Sequence, residues 1–259
     1  MRKRQLFPAI SAALLILIPG ALQASGKLMQ LGSLSAIVAG VYDGEFDMEI
    51  IQKPDAYGIG TFDRLDGEMV VLGGVVYQVS GDGSVNKPSV DMKIPFSCVS
   101  VLENPEIDET VENIDGKAAF DKMLREKLSS QNFPVLVVVT GDFEMMKTRS
   151  VPAQQKPYRP LADVAAEQAE FELGAQRGTL VGFYCPSYMA GLNAGDFVHL
   201  HFLNDDHNAG GHVLDFKLTN ARLRAQVLTN VQVLLPKEDS AFAESDIAPA
   251  KPVEKVKGE

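Results

Sequence analysis

The chain has 259 residues, 46% of them hydrophobic and 22% charged, with a formal net charge of −10. That hydrophobic share is enough for a packed core and excludes a wholly disordered chain. The acidic balance argues against nucleic acid or an anionic membrane surface as partner, so an anionic small molecule would need a locally positive pocket.

Arg2, Lys3 and Arg4 precede a largely apolar stretch over 10–21, broken by Pro19 and Gly20, and Leu22-Gln23-Ala24 offers a small-residue cleavage signal before Ser25. This is the layout of a secretory signal peptide. The apolar run falls short of the ~20 residues that a spanning helix needs. Residues 1–24 are therefore expected to be a cleaved leader, the product periplasmic or extracellular, with no membrane attachment after cleavage. What remains suffices for one large domain or two small ones.

Leu34, Ile37, Val38 and Val41 predict a helix over 33–42. From 58 to 101 the pattern is of short strands, punctuated by Asp66-Gly67, Gly73-Gly74 and Gly81-Asp82-Gly83. A second helix is expected over 117–128, with Phe120, Met123, Leu124 and Leu128 on one face. The β-branched run 135–140 reads as a buried strand. Pro152, Pro157 and Pro160 mark 150–161 as a connector and place a domain boundary near 155. A helix over 161–169 follows, then strands near 179–184, 196–203, 212–218 and 226–235. From Pro236 the tail has the composition of a disordered segment. Cys98 and Cys185 are the only cysteines. Export would permit a disulfide between them, while their apolar surroundings suit two buried free thiols.

All four histidines fall between residues 199 and 212. In the strand expected over 196–203, Val198, Leu200 and Phe202 share one face and His199 and His201 the other. The turn residues 204–211 return the chain, and His212 opens the next strand. Three imidazoles can thus converge as a catalytic zinc site requires. His207, beside Asp205, Asp206 and Asn208 at the turn tip, reads as solvated. There is no His-Glu-x-x-His helix of a zincin, nor the glutamate that follows His-x-His in typical cupins.

The segment His199-Leu200-His201-Phe202 through Gly210-Gly211-His212-Val213-Leu214-Asp215-Phe216 resembles the metal hairpin of bacterial α-acetolactate decarboxylases. Three further segments resemble that family in the same order. They are Gly58-Ile59-Gly60-Thr61-Phe62 with Leu65-Asp66-Gly67-Glu68, then Asp91-Met92-Lys93 with Pro95-Phe96, then Lys147-Thr148-Arg149-Ser150-Val151-Pro152 with Gln155-Lys156-Pro157-Tyr158. The likeness runs from near Ser33 to near Ala241. It implies an α/β fold of the strand-rich α+β kind. A mixed-sheet domain with helices would occupy 25–155, and an antiparallel β domain carrying the metal hairpin and a docking tail would occupy 156–259. It also implies a homodimer formed through the N-terminal sheet.

By the same resemblance, His199, His201 and His212 hold Zn2+, Glu68 and Arg149 are catalytic, and Thr61 and Arg149 contact substrate. The family's C-terminal glutamate corresponds here to Glu254, with Glu259 the alternative. The implied reaction turns 2-acetolactate into acetoin and CO2, with zinc as Lewis acid for the enediolate left by decarboxylation. Arg149 would recognise the carboxylate or the developing charge, and Glu68 is a candidate acid–base group. Asp215, next to the hairpin, points away from His212 by strand parity. Two other functions would use the same histidines. A hydrolase would act on small esters through zinc-bound hydroxide, and a non-catalytic zinc-binding protein would close the site with His207.

Overall fold

A computed structural model describes residues 26–193 and 197–247. The expected leader over 1–24, and both Glu254 and Glu259, lie outside them. β1 (Gly26–Leu31) leads into α1 (Leu34–Val38), where the Ser33 hydroxyl accepts from the Ala36 amide at 3.2 Å as an N-cap. The helix is shorter than the expected 33–42 because the chain turns out through Ala39 and Gly40, the latter at φ +87°.

A two-stranded pair, β2 (Phe46–Asp47) with β7 (Lys93–Ile94), sits beside a larger meander. The meander comprises β3 (Ala56–Thr61), β4 (Glu68–Leu72), β5 (Val75–Val79), β6 (Val85–Asn86) and β8 (Phe96–Val101), in the order β8-β3-β4-β5-β6. Gly73 and Gly74, both at positive φ, close the β4–β5 hairpin as a tight turn demands.

The second half is built from β9 (Ile107–Asp115), α2 (Lys117–Lys127), β10 (Val135–Ser150), α3 (Leu161–Ala165), β11 (Ala169–Glu172), β12 (Gln176–Tyr184), β13 (Val198–Asn204), β14 (Gly210–Leu234) and α4 (Ala241–Glu244). β10 pairs with β12 and β14, β12 with β13, and β13 with the start of β14, all antiparallel, so four strands close a circuit. β9 lies along the middle of β14, and β1 pairs in parallel with its end. Because β1 also pairs with β8, the 25-residue β14 joins both sets of strands into one sheet.

Three expectations are corrected. The strands expected over 212–218 and 226–235 are one. Between them Leu218, Ala221, Leu223 and Ala225 are buried while Arg222 is exposed, and a register shift near Thr219 holds Leu218 and Ala221 on the same face. The strand expected over 135–140 runs on to Ser150, with Phe143 buried between exposed Asp142 and Glu144 and Met146 buried beyond them. Nor does the boundary expected at 155 follow the sheets: β9, α2 and β10 precede it but join β12–β14. The proline segment is a crossover fastened to the meander, with the Gly67 amide donating to Val151 O at 3.0 Å and the Gln154 amide to Arg64 O at 2.7 Å.

The run in β10 is continuous because both its faces are buried. Val135, Val137 and Val139 join a core with Phe120 and Leu124 of α2, while Leu136 and Val138 join Ile59, Val70 and Val79 of the meander. Each such side chain contributes about 1.5–3 kcal/mol. Cys98 and Cys185 are both free and buried in this second core, and burial pushes both thiols up, Cys185 to about 12. Among the described residues no helix is long and apolar enough to cross a membrane.

Candidate active site

His199 and His201 are alternate residues of β13, so their rings leave one face of the strand, opposite to buried Leu200 and Phe202. His212 is the cross-strand partner of His201 and also of Arg149 on β10. Gly211 just before it, at φ +127°, allows β14 to approach β10: a Cβ there would lie 2.6 Å from the Arg149 carbonyl. Ring centroids are 5.3 Å apart for His199–His201 and His201–His212, and 4.9 Å for His199–His212. One nitrogen from each imidazole lies within 4.8 Å of the others.

The outer nitrogens are held. His201 Nδ1–H donates to the Met69 carbonyl at 2.7 Å, and His199 Nδ1–H donates to Asn193 Oδ1 at 2.9 Å. Each ring therefore presents Nε2 as a lone pair. His199 Nε2 lies 3.2 Å from His212 Nδ1, and the Nε2 atoms of His201 and His212 are buried with no hydrogen-bond partner. Burial lowers the affinity of all three rings for a proton, and the neighbouring Arg149 adds to this. His201 falls to about 3 despite its bond to Met69. Three neutral imidazoles, two of them with held outer nitrogens, fit a bound metal ion.

Glu68 opens β4 with Oε2 3.4 Å from His201 Nε2 and Oε1 3.8 Å from Arg149 Nη1. The guanidinium pulls the carboxyl down, but desolvation outweighs it and raises Glu68 to about 7. At neutral pH this group can hold or release a proton. Thr61, the cross-strand partner of Glu68, donates its hydroxyl to Gly67 O at 2.7 Å, leaving its oxygen as an acceptor. These six side chains line one cavity of about 50 Å³, walled by Leu34, Ile37, Leu65, Phe96, Val151 and Leu161. Its polar groups converge on one side, opposite the apolar wall.

Every described residue expected at the site is there: His199, His201, His212, Glu68, Arg149 and Thr61. Glu254 and its alternative Glu259 fall outside the described residues. His207 is exposed at φ +53°, its ring 4.7 Å from that of Tyr77 and its Nδ1 3.3 Å from the Tyr77 hydroxyl, away from the triad. Asp215, on β14, accepts from the Lys117 amide at 2.8 Å and so fastens the start of α2. Sequence reasoning missed Asn193 and the Met69 carbonyl. A backbone acceptor has no residue signature, and Asn193 stands in a loop whose only mark is its Gly-Leu-Asn context. The apolar wall was equally hidden, since Leu34 and Ile37 read as ordinary helix core.

Comparison with known proteins agrees with this geometry. The sequence profile of Alpha-acetolactate decarboxylase matches residues 28–249. An Alpha-acetolactate decarboxylase of Brevibacillus brevis is 37% identical over 220 residues, covering 85% of this chain and 76% of that protein. One from Methanosarcina mazei is 40% identical over 197 residues, covering 75% and 67%. The crystal structure of alpha-acetolactate decarboxylase from Bacillus subtilis strain 168 superposes with a TM-score of 0.83 at 30% identity, covering 90% of this chain and all of that one. With the fold, the triad and the matched length in agreement, the chain belongs to the alpha-acetolactate decarboxylase family.

Proposed function

We propose that this enzyme converts 2-acetolactate into acetoin and CO2 at the pocket between the meander and the β13–β14 hairpin, with Zn2+ held by His199, His201 and His212. The observation that carries this is the convergence of three neutral imidazoles with Glu68 and Arg149 in one cavity of a chain of this family. In the reaction the bond from C2 to the carboxylate breaks, and its electron pair stays on the carbon skeleton and spreads into the neighbouring ketone. A proton must then reach that carbon. A zinc ion bound by three neutral ligands supplies a Lewis acid for the oxygen that takes up this charge.

The chain's own residues do the rest. Arg149 offers a permanent cation to the substrate carboxylate, and its burial strengthens that attraction. Glu68, raised to about 7, can hold or release a proton at neutral pH beside the metal ligands, where the carbon is to be protonated. Thr61 accepts a hydrogen bond from a substrate hydroxyl. Leu34, Ile37 and Leu161 exclude water around the methyl groups. Glu254 is the residue we assign to the family's C-terminal glutamate. We also propose export, supported by the leader-like start of the chain, and a homodimer, supported by the family resemblance.

The test is turnover of racemic acetolactate by the purified protein, beside a panel of small esters. Acetoin and CO2 in equal amounts, with no ester hydrolysis, is the expected result. Ester hydrolysis without acetoin would overturn the assignment in favour of a hydrolase.

A further inference from the structure

The two imidazoles of β13 are held at their outer nitrogens in different ways. His201 is held by a backbone carbonyl, which no side-chain substitution removes, whereas His199 depends on the side chain of Asn193. We propose that Asn193 is a positioning residue of the metal centre, holding His199 in the tautomer whose Nε2 lone pair faces the metal. This rests on the assignment of the three histidines as ligands.

Asn193 is 1% exposed, and its Oδ1 lies 2.9 Å from His199 Nδ1. With Oδ1 facing His199, only an N–H of the ring can meet it. The ring proton is thereby placed on Nδ1. A neutral amide does this without adding negative charge, so more of the metal's positive charge is left for substrate oxygen.

The backbone around Asn193 also ties this ligand to the substrate wall. The Leu192 amide donates to Met189 O at 2.9 Å, closing a tight loop, and Ala190 bridges to Asn193. The same loop gives its Leu192 and Gly191 carbonyls to the amides of Leu34 and Ser35, at 3.0 and 2.9 Å. One short segment thus seats both His199 and α1, whose Leu34 and Ile37 line the cavity.

The experiment is a Zn2+ titration of metal-stripped protein against a chromophoric chelator, for wild type, Asn193→Leu and Asn193→Asp. Leucine keeps the branched outline but removes the acceptor, and its zinc affinity should fall about 10–100-fold. Aspartate keeps the acceptor and should bind zinc within about threefold of wild type or more tightly. A folded Asn193→Leu protein binding zinc like wild type would overturn the inference alone, as would an aspartate variant as weak as the leucine one. If the leucine variant does not fold, the aspartate variant decides: a tenfold loss of affinity there overturns the proposal. A wild-type protein that binds no zinc overturns the metal assignment and this inference with it.

Discussion

Glu68 shows how a single residue's chemistry is set by its surroundings. Its carboxyl lies 3.8 Å from Arg149, too far for a hydrogen bond, and so burial prevails and lifts it to about 7. Glu68→Gln keeps the shape but has no proton to deliver. Its kcat should fall about 10²–10⁴-fold in steady-state assays while zinc affinity holds; an unchanged kcat would remove Glu68 from proton transfer. The imidazoles govern the metal-free protein's response to acid. Their folded pKa values lie below the ordinary 6.5, His201 at about 3, so the stability they contribute is present above 6.5 and lost as pH falls below it. Glu68 has the opposite sign, its contribution being present below 4.5 and lost as pH rises through about 7. Three groups oppose one, so the denaturation midpoint of the stripped protein should drop between pH 7 and pH 5. A flat or rising midpoint would contradict this balance.

Among the elements, the β12–β13–β14 arrangement is what turns a histidine-rich sequence into a site. Gly182 on β12 faces Leu200 across the pair, and a Cβ there would lie 1.8 Å from the His199 carbonyl. Gly182→Ala must therefore push β13 away. It should cost about 1–3 kcal/mol in denaturant unfolding and weaken zinc binding as well. An alanine variant with wild-type stability and affinity would show that β13 is not held this closely. The alternation of His199 and His201 was legible because a strand's period of two is written directly into its residues. The unity of β14 was not, since the register shift near Thr219 breaks the alternation and the exposed Arg222 resembles loop composition. Asn193 was invisible for a different reason: it stands in a loop without periodicity and meets the His199 ring through one hydrogen bond.

At the scale of the whole molecule, the pocket exists because two sets of strands share β14 and pack across β10. His201 comes from one set, and the Met69 carbonyl and Glu68 from the other. This is why the proline segment misled as a boundary: it read as a linker, yet it is bonded to the meander and supplies Val151 to the cavity wall. Motif order was enough to name six side chains that line one cavity, while the way the strands divide depended on pairings between distant segments. Zinc binding only the folded state should stabilise it by about 2.7 kcal/mol at a hundredfold excess over Kd. Thermal unfolding with and without zinc measures this, and equal midpoints would argue against a preformed site.

The most direct measurement is acetoin formation from acetolactate as the metal-stripped protein is titrated with zinc. The account expects no activity in the stripped protein and a linear rise that breaks at one zinc per chain, with His201→Ala inactive throughout. Full activity after complete removal of metal, or none in the folded, zinc-loaded protein, would contradict it.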